Sequence, residues 1–488
     1  MIVRRIALTM CILSSVSGCA LGPVHPQTDL SLPPSVNAVA STAPITPVSG
    51  PSQTIVAGSP VAKDWWNAFG NTELNALVEL ALRHNNDIQT ADAALRQAAE
   101  LGRAANGAKL PTLDLSYQAQ RARVSNALAT PLFDPNQTLY TLHTTQVTVG
   151  YALDVFGGVK SKVASARAAA EVQRNHFEAA RTTVIANVVL AVIQTGSLKA
   201  QVMAVTQSIA SNAELLTLMR RRQQLGSVGA SDVATQETAL ASAEGALPPL
   251  QRALAHQHAV IAALTGVAPG NPLPPIPDLA AMALPQSLPV SLPADLVRQR
   301  PDVQAAEAQM RGAGADVGTA IAARLPAFQL SATAGGVATD FAQMFATGNP
   351  FWTLIGGITQ PLFHGGALRH QQRAAEAALD GAKAQYRASV LQAFVDVSDA
   401  LNGLRTDGDA LDAANRASDA AGRTLHFVRR QLELGDVGTL TVLNASAANA
   451  QASLQLIQAR AARLSDSVAL FQAMGGDWQS RSANTGEK

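Results

Sequence analysis

The chain repeats a short motif: LGSVG at residues 225–229 returns 209 positions later as LGDVG at residues 434–438. Gly266 and Gly475 match at the same offset of 209. Self-similarity at a fixed spacing is the signature of a duplicated structural unit. We therefore interpret the chain as two related halves.

Upstream of the repeated motif, the two halves match at a different offset. Residues 86–116 align with residues 301–331 at a constant offset of 215, whereas Phe156 pairs with Phe363 at 207. The first half must therefore carry the longer connection in this region. Residues 126–137 are rich in Pro, Asn and Ala, and we expect a loop there because loops tolerate insertions.

The domain boundaries follow from these matches. We predict a first repeat at 74–267, a linker at 268–292, a second repeat at 293–478 and a tail at 479–488. Each repeat reads as helix, strand, strand, long helix, turn, helix. Proline is absent between Lys160 and Leu225 and again from Leu362 onward. Helices of roughly 65 residues would be about 100 Å long, too long for a compact domain.

A seven-residue register supports the long helices. In the second repeat it contains Val390, Val397, Leu404, Leu411, Leu425 and Leu432, with Ser418 at the remaining position. In the first repeat it contains Val188, Val202, Ile209 and Leu216. A sustained period of 3.5 residues predicts left-handed supercoiling against neighbouring helices, whereas a plain amphipathic helix would drift over this length.

Four segments alternate as half-buried strands do. We predict them at about 112–120, 145–156, 327–335 and 351–363. The proposed apolar face carries Leu113, Leu115, Tyr117 and Ala119, then Val147, Val149, Tyr151 and Val155, then Phe328, Leu330, Ala332 and Ala334, then Trp352, Leu354 and Ile358. Gln360 interrupts the fourth strand. One face suits lipid and the other suits water.

Four strands cannot close a membrane barrel. An open edge in hydrocarbon leaves backbone groups unpaired, which costs several kcal/mol for each group. The strands must therefore be shared between chains. Three copies provide twelve strands, an even number wide enough for a wet lumen. We therefore predict a homotrimer.

Composition narrows the class of protein further. Among 488 residues only 15% are charged and 4% aromatic, and the formal charge is +1. Abundant alanine suits closely packed helices, whereas the near-zero charge gives little support to nucleic-acid binding. Beyond residue 19 we find no uninterrupted apolar stretch of about 18 residues, so we expect membrane crossing by strands alone.

The N-terminus has the three parts of a secretory signal at residues 1–18. Arg4 and Arg5 precede an apolar run, and small residues lead to Cys19. Residues 19–73 form an N-terminal arm, which we expect to be extended rather than packed up to about residue 61. The second cysteine, Cys11, lies in the signal, so the mature chain offers no disulfide or thiolate metal site.

Motifs for catalysis or metal binding are absent from the sequence. His256 and His258 are two residues apart on a presumed helix, so they diverge by about 200° and should be solvated. Residues 312–314, Gly-Ala-Gly, lie in a helical pattern without a preceding strand. They indicate close helix packing or a bend rather than a phosphate site. We predict that the protein is not an enzyme and has no metal or cofactor.

The order of several short motifs along the chain resembles that of the TolC-like outer-membrane factor family, in its lipidated, NodT-type branch. The resemblance covers essentially the whole mature chain. It rests on Cys19, on Trp65, Trp66, Phe69 and Leu74, on Asn86, Asp87, Ala91 and Ala94, on Leu110 and Pro111, on Asp154–Gly157, on Gln360–Phe363, on Leu434–Asp436, on Val442–Ala445 and on Met474–Trp478.

The resemblance implies an α+β membrane protein built from the duplicated helix-strand-strand-long helix-helix unit. Its four strands would contribute to a shared twelve-stranded trimeric β-barrel in the outer membrane, above a long periplasmic coiled-coil α-barrel. The small-residue junction before Cys19 resembles a lipobox, which implies a covalent lipid such as palmitate on that residue. Implied partners are outer-membrane lipid, a periplasmic adaptor (membrane fusion) protein and an inner-membrane pump, commonly of the RND class.

In such proteins, the helical turns furthest from the barrel form the periplasmic aperture and contact the adaptor. The matching candidates here are Leu225, Gly226, Ser227, Asp232, Leu434, Gly435, Asp436, Thr441 and Asn444. Repeated by threefold symmetry, Asp232 and Asp436 would attract cations or hold the mouth shut; as solvated turn carboxylates they would do neither. Family members often carry aspartates where this chain has Thr441 and Asn444.

The function that these features favour is a passive trimeric duct of a tripartite efflux system, exporting small molecules from the periplasm or the pump to the exterior. Two alternatives use much of the same pattern: the outer-membrane duct of type I protein secretion, and a periplasmic coiled-coil lipoprotein without a channel. The alternating strand pairs disfavour the second. A lipoprotein enzyme is disfavoured by the missing catalytic site.

Overall fold

The computed structural model describes residues 53–59, 61–123, 139–268, 270–290 and 299–476. The signal peptide, Cys19, most of the arm, the loop predicted at 126–137 and the tail at 479–488 lie outside the described residues. Within them, the chain forms two compact units. The sheet unit contains residues 96–172 and 306–386, and the helical unit contains the remaining described residues.

The first half of the chain contains two helices, two strands and two further helices. Their bounds are α1 Thr72–His84, α2 Asn86–Gly107, β2 Thr112–Arg123, β3 Leu139–Leu153, α3 Gly158–Gln224 and α4 Ala230–Leu264. A short strand, β1 Thr54–Ala57, and a 3-10 turn at Trp65–Phe69 precede them.

The second half follows the same order from its first long helix onward. Its elements are β4 Ser287–Val290, α5 Pro301–Ala322, β5 Ala327–Ala338, β6 Pro350–Thr359, α6 Ala367–Leu434 and α7 Thr439–Ala473. The helices α2 and α5 both have 22 residues, and α4 and α7 both have 35. The long helices α3 and α6 have 67 and 68. The starts of these pairs show the sequence offsets: 215 for α2 and α5, and 209 for α4 and α7.

The strands β2, β3, β5 and β6 form one antiparallel sheet in that order, with β2 and β6 at its edges. The predicted positions overlap all four strands, but their bounds were inaccurate. The first and third strands each continue three residues beyond the predicted end, to Arg123 and Ala338. The second begins at Leu139 and ends at Leu153, before Val155. The fourth ends at Thr359, so Gln360 does not interrupt it.

Part of the arm is packed, although we expected an unpacked segment up to about residue 61. Strand β1 pairs in parallel with β4, which lies in the predicted linker, with Ile55 opposite Leu288. Leu288 is fully buried, and the amide nitrogen of Gln53 donates to the carbonyl oxygen of Pro285 at 2.9 Å. Four-residue strands without clear alternation are hard to detect in a sequence, because their pairing partner is distant.

The helical unit has a large apolar core. Trp65, Phe69 and Leu74 are at most 1% exposed, and the Trp65 ring stacks on Phe471 with centroids 5.0 Å apart. The aromatic residues that precede α1 therefore have a packing role. Through Trp65, this segment packs against the C-terminal helix α7.

Among the described residues, one helix is long and apolar enough to cross a membrane. An 18-residue window of α3 meets that criterion, although 61% of the window is buried inside the molecule. The sequence analysis missed this window because it required an uninterrupted apolar run. Its most apolar part, which includes Ile185, Val188 and Val192, lies in the core of the helical unit. Core packing accounts for its hydropathy.

The seven-residue registers face inward as predicted. In α6, Val390, Val397, Leu404, Leu411 and Leu432 are at most 6% exposed. The two ends of the α3 register, Val188 and Leu216, are also buried. Val188 of α3 lies in the same core cluster as Val397 and Leu404 of α6.

Candidate functional site

The apolar face of the four-stranded sheet is continuous across all four strands. Leu113 pairs with Val149, Val149 with Ala332, and Ala332 with Leu354. The next row on this face contains Leu115, Val147, Ala334 and Trp352. Directly paired residues in a sheet share a face, so the alternation predicted in separate strands combines into one apolar surface.

This surface is largely uncovered in the single chain. Leu113 is 72% exposed, Leu115 74%, Leu354 61% and Trp352 79%. Soluble monomers rarely expose contiguous apolar patches of this kind, and such patches mark membrane or protein contacts. The surface therefore requires an apolar environment that this chain does not itself provide.

The opposite face is mainly polar. Asp114 pairs with Thr148, which pairs with Thr333, and the hydroxyl oxygens of the two threonines are 3.5 Å apart. The pattern weakens in β6, where Ile355 lies on this face and is 59% exposed. A face lined by hydroxyls and carboxylates is compatible with water.

At the other candidate region, the turns after α3 and α6 have the same hydrogen bonds. The N–H of Ser227 donates to the carbonyl oxygen of Arg222, and the N–H of Asp436 donates to that of Gln431, both at 2.9 Å. This is the bond of a glycine-terminated helix end. Gly226 and Gly435 have φ of 72° and 84°, which explains the glycine at both positions.

The carboxylate of Asp232 has a local structural role. It accepts a hydrogen bond from the N–H of Gly229 at 3.1 Å, at the start of α4. A carboxylate in the first turn also interacts favourably with the helix dipole. Asp436, in the other turn, lies in the segment that links α6 to α7.

All nine sequence-predicted aperture residues are exposed and lie in or beside these two turns. They are Leu225, Gly226, Ser227, Asp232, Leu434, Gly435, Asp436, Thr441 and Asn444. Leu225 and Leu434 are 77% and 72% exposed. The two turns thus present matching apolar side chains to the exterior.

The two turns are also linked to each other. The guanidinium of Arg222 donates to the carbonyl oxygen of Leu432 at 3.3 Å, which joins the end of α3 to the end of α6. Leu215 of α3 packs against a small apolar cluster that contains Val428 and Val442. Sequence analysis did not identify Arg222.

A buried amide pair joins α3 to α4. The side-chain nitrogen of Gln236 donates to both the carbonyl oxygen and the side-chain oxygen of Asn212, at 3.0 Å each. Gln236 is 1% exposed and Asn212 7%. Because buried amides are costly unless they are hydrogen-bonded, this pair fixes the alignment of the two helices.

The two repeats have related junctions at the ends of α4 and α7. Asn85 donates from its side-chain nitrogen to the carbonyl oxygen of Leu264 at 2.9 Å. At the corresponding position, Arg300 donates to the carbonyl oxygen of Ala473 at 3.1 Å. Arg300 also contacts the carboxylate of Asp396 at 2.8 Å. The hydrogen bond to the helix end thus comes from a neutral amide in the first repeat and from a charged guanidinium in the second.

A buried charged group lies between α6 and α7. Arg463 is 2% exposed, and within the described residues its two terminal nitrogens have no hydrogen-bond partner. Burial lowers the pKa of Arg463, against the opposing effect of Asp466 and Asp407. Burial and the neighbouring Asp407 raise the pKa of Asp466 to about 7, although Arg463 opposes the shift.

Gly403 permits the close approach of these helices. A Cβ atom at residue 403 would lie 3.2 Å from the Oδ1 atom of Asp466. Sequence analysis did not single out these residues. A signal was present, because Arg463 and Asp466 occupy the seven-residue registers of the buried Leu470 and Ala473.

Other sequence-based expectations concern isolated residues. His256 and His258 are exposed, as predicted. A Cβ at Gly312 would lie 3.3 Å from that of Ala168, so this glycine allows close helix packing, again as predicted. Within the described ranges, no group of three or more His, Cys, Asp or Glu side chains is arranged to hold a metal ion.

Comparison with known proteins identifies this architecture. The sequence profile of the outer membrane efflux protein family matches residues 77–267 and 292–476. Together the two matched ranges cover most of the chain.

Individual relatives have related descriptions. The pyoverdine export outer membrane protein OpmQ of Pseudomonas putida is 29% identical over 92% of this chain and 97% of its own length. The toluene efflux pump outer membrane protein TtgI, also of Pseudomonas putida, is 27% identical over 97% of this chain and 98% of its own.

Solved structures share the fold. The outer-membrane channel OprN superposes with a TM-score of 0.85 at 24% identity, covering 94% of this chain and 99% of its own. The outer membrane protein VceC of Vibrio cholerae gives 0.77 at 25% identity, covering 86% and 99%. The CmeC outer membrane channel of Campylobacter jejuni gives 0.83 at 20% identity, covering 95% and 96%.

Proposed function

This chain belongs to the outer membrane efflux protein family, and on that premise we propose that three copies of it close a twelve-stranded barrel. It is an efflux protein of the outer membrane and not an enzyme, which confirms the prediction from sequence. The trimer, the lipid anchor, the partners and the cargo are proposals.

The main support for the trimer is that the sheet of one chain has two open edges. Its strands β2 and β6 are edges, and its apolar face includes Leu115 and Trp352, which are 74% and 79% exposed. In hydrocarbon, each unpaired backbone group costs several kcal/mol, so the edges must pair with other chains. Three copies of the sheet provide twelve strands, an even number in the range of membrane barrels.

Cysteine crosslinking tests this arrangement. Single cysteines on β2, at Asp114, Ser116 or Gln118 in turn, are combined with Thr353→Cys on β6. We expect at least one combination to give covalent trimers on non-reducing gels. The control combines Thr148→Cys with Thr333→Cys, which are paired within one chain and should give no multimers. Monomers in every combination would contradict the closed barrel.

The duct is passive in this proposal. The polar face with Asp114, Thr148 and Thr333 lines the lumen, and the apolar face contacts lipid. Solutes then cross the membrane beside hydroxyl and carboxylate groups, without a catalytic step.

Partners are proposed for the two turns that follow α3 and α6. Relatives include outer membrane proteins of efflux pumps, which supports a periplasmic adaptor and an inner-membrane pump of the RND class as partners of this chain. The exposed Leu225 and Leu434 give the adaptor a pair of equivalent apolar contacts. Crosslinking through Leu225→Cys and Leu434→Cys should recover the adaptor, and the control Met203→Cys, at an exposed site elsewhere on α3, should not.

The lipid anchor is proposed at Cys19, which lies outside the described residues. Metabolic labelling with palmitate should mark the wild-type protein, whereas Cys19→Ser should lose the label. An unlabelled wild-type protein would contradict the anchor without affecting the barrel.

The cargo is proposed from the relatives' names, which mention pyoverdine, toluene and solvents. We infer that this duct exports small organic molecules. A deletion strain should become sensitive to such compounds and should regain resistance with the wild-type gene. Unchanged sensitivity combined with the loss of a secreted protein would instead favour type I secretion.

A further inference from the structure

The loop between β5 and β6 lies flat on the apolar face of the sheet. We call residues 340–349 the aromatic loop. Gly336 is on the same face as Ala334, and a Cβ there would collide with the backbone of Met344 and lie 3.2 Å from the Phe345 ring. Met344 itself is 2% exposed, with its sulfur 3.5 Å from the hydroxyl of Thr145. Only a glycine permits this close contact.

Phe341 extends the contact to the edge strand. Its ring lies nearly perpendicular to those of Tyr117 and His143, with centroids 5.7 Å and 6.0 Å away. The Tyr117 hydroxyl and the Nδ1 atom of His143 are 2.8 Å apart. Despite this packing, Phe341 and Phe345 remain 60% and 65% exposed.

Hydrogen bonds within the aromatic loop hold this shape. The carboxylate of Asp340 accepts from the N–H of Ala342 at 3.0 Å. The side-chain nitrogen of Asn349 donates to the carbonyl oxygen of Gln343 at 2.6 Å. The two exposed phenyl rings are therefore displayed by an internally bonded turn.

Side chains on the same face of β2 change from apolar to cationic along the strand. Leu113 and Leu115 come first, Tyr117 follows, and Arg121 and Arg123 end the described part of the strand. Both arginines are exposed. From residue 113 to residue 121 the strand rises by about 27 Å, or about 20 Å of membrane height at a usual tilt. Apolar, aromatic and cationic side chains thus follow the order of a bilayer's core, interface and headgroups.

We propose that the aromatic loop, together with Arg121 and Arg123, binds phosphate-bearing lipid headgroups of the outer leaflet. The phenyl rings of Phe341 and Phe345 lie at the interface, where aromatic side chains are favoured, and the guanidiniums contact lipid phosphates. The one carboxylate in the aromatic loop, Asp340, already caps the turn. This inference rests on the proposed barrel, whose apolar face it continues.

Depth-dependent fluorescence quenching tests the placement. The full-length protein is reconstituted into phosphatidylcholine vesicles whose acyl chains are brominated either near the headgroup or near the methyl end. Quenching is compared among Phe341→Trp, Leu115→Trp and Phe427→Trp in a Trp352→Phe background, after subtraction of the emission of that background, which keeps three tryptophans. Phe427 is the matched control, because it is also 60% exposed but lies on α6 in the helical unit.

Three outcomes are distinguishable. We expect shallow bromines to quench residue 341 at least twofold more than deep ones, deep bromines to quench residue 115 more strongly, and neither to quench residue 427. If residue 115 is quenched but residue 341 is not, the barrel stands and the aromatic loop is not at the interface. If neither residue is quenched, the proposed barrel itself fails.

The arginines are tested by lipid retention. The protein is extracted from vesicles of equal phosphatidylglycerol and phosphatidylcholine, and the co-purified lipids are measured. We expect the enrichment of phosphatidylglycerol to fall about five-fold for each arginine removed in Arg121→Gln and Arg123→Gln. The control Arg429→Gln/Arg430→Gln, on α6, should leave it unchanged. Equal enrichment in all variants, with folding verified by circular dichroism, would overturn the headgroup contact.

Discussion

The sheet unit and the helical unit place their apolar side chains in opposite environments. In the helical unit, Trp65 is 1% exposed and Leu74 is fully buried. In the sheet unit, Trp352 is 79% exposed and Leu115 74%. The helical unit thus has an apolar core formed by its own chain. The sheet unit leaves its apolar side chains uncovered, which supports the proposed membrane barrel of several chains.

The largest predicted effect contrasts the two tryptophans. Trp65→Ala should destabilise the protein by about 3–5 kcal/mol, because it leaves a cavity beside Phe471. Trp352→Ala should change the stability in detergent by less than about 0.5 kcal/mol, since its ring is already exposed. Urea unfolding followed by circular dichroism measures both. Equal losses would remove the contrast between the units.

The next effect separates the two faces of one strand. Leu115→Arg should cost about 2–4 kcal/mol, the usual penalty for a cation on the lipid face of a barrel. The neighbouring Ser116→Arg points to the polar face and should be tolerated. The yield of heat-modifiable oligomers in outer-membrane fractions reports the difference. Similar yields from both variants would contradict the assignment of faces.

A smaller effect on stability is expected from a hydrogen-bonded cap within the helical unit. Asn85 accepts hydrogen bonds from the N–H groups of Asp87 and Ile88 and donates to Leu264. Asn85→Ala should therefore lower the stability by about 1–2 kcal/mol through the lost cap. The exposed Asn444→Ala is the control, and its melting temperature should match the wild type.

The smallest effect depends on pH. The pKa of Asp466 is raised to about 7, chiefly by burial and then by Asp407. The protonated carboxyl is thus favoured in the folded state, and its stabilising contribution is lost as the pH rises from about 4 through 7. The melting temperature should fall over this interval in the wild type and less so in Asp466→Asn. The exposed Asp399→Asn should keep the wild-type slope, and a slope unchanged in Asp466→Asn would contradict the assignment.

The sequence revealed the features that repeat over many residues. The seven-residue register from Val390 to Leu432 predicted the long helix α6, and strict alternation around Leu113 and Leu115 predicted an exposed apolar face. Periodicity is a strong signal because each additional turn or residue pair confirms it. Element ends were less accurate, since the strand that begins at Leu139 starts before its clear alternation does.

Features that depend on distant partners were not predictable in this way. The pairing of Ile55 with Leu288 joins segments that lack a shared pattern. The contact of Arg222 with Leu432 depends on how two turns meet in space. Arg463 and Asp466 occupy registers that face inward. They were overlooked because charged side chains are normally exposed to solvent.

The central claim is that one chain supplies one third of the barrel wall. Native mass spectrometry of the full-length protein, extracted from membranes in a mild detergent, tests it most directly. The account predicts a dominant species of three chains, each 50.6 kDa before processing. A stable monomer or a dimer as the dominant species would contradict it.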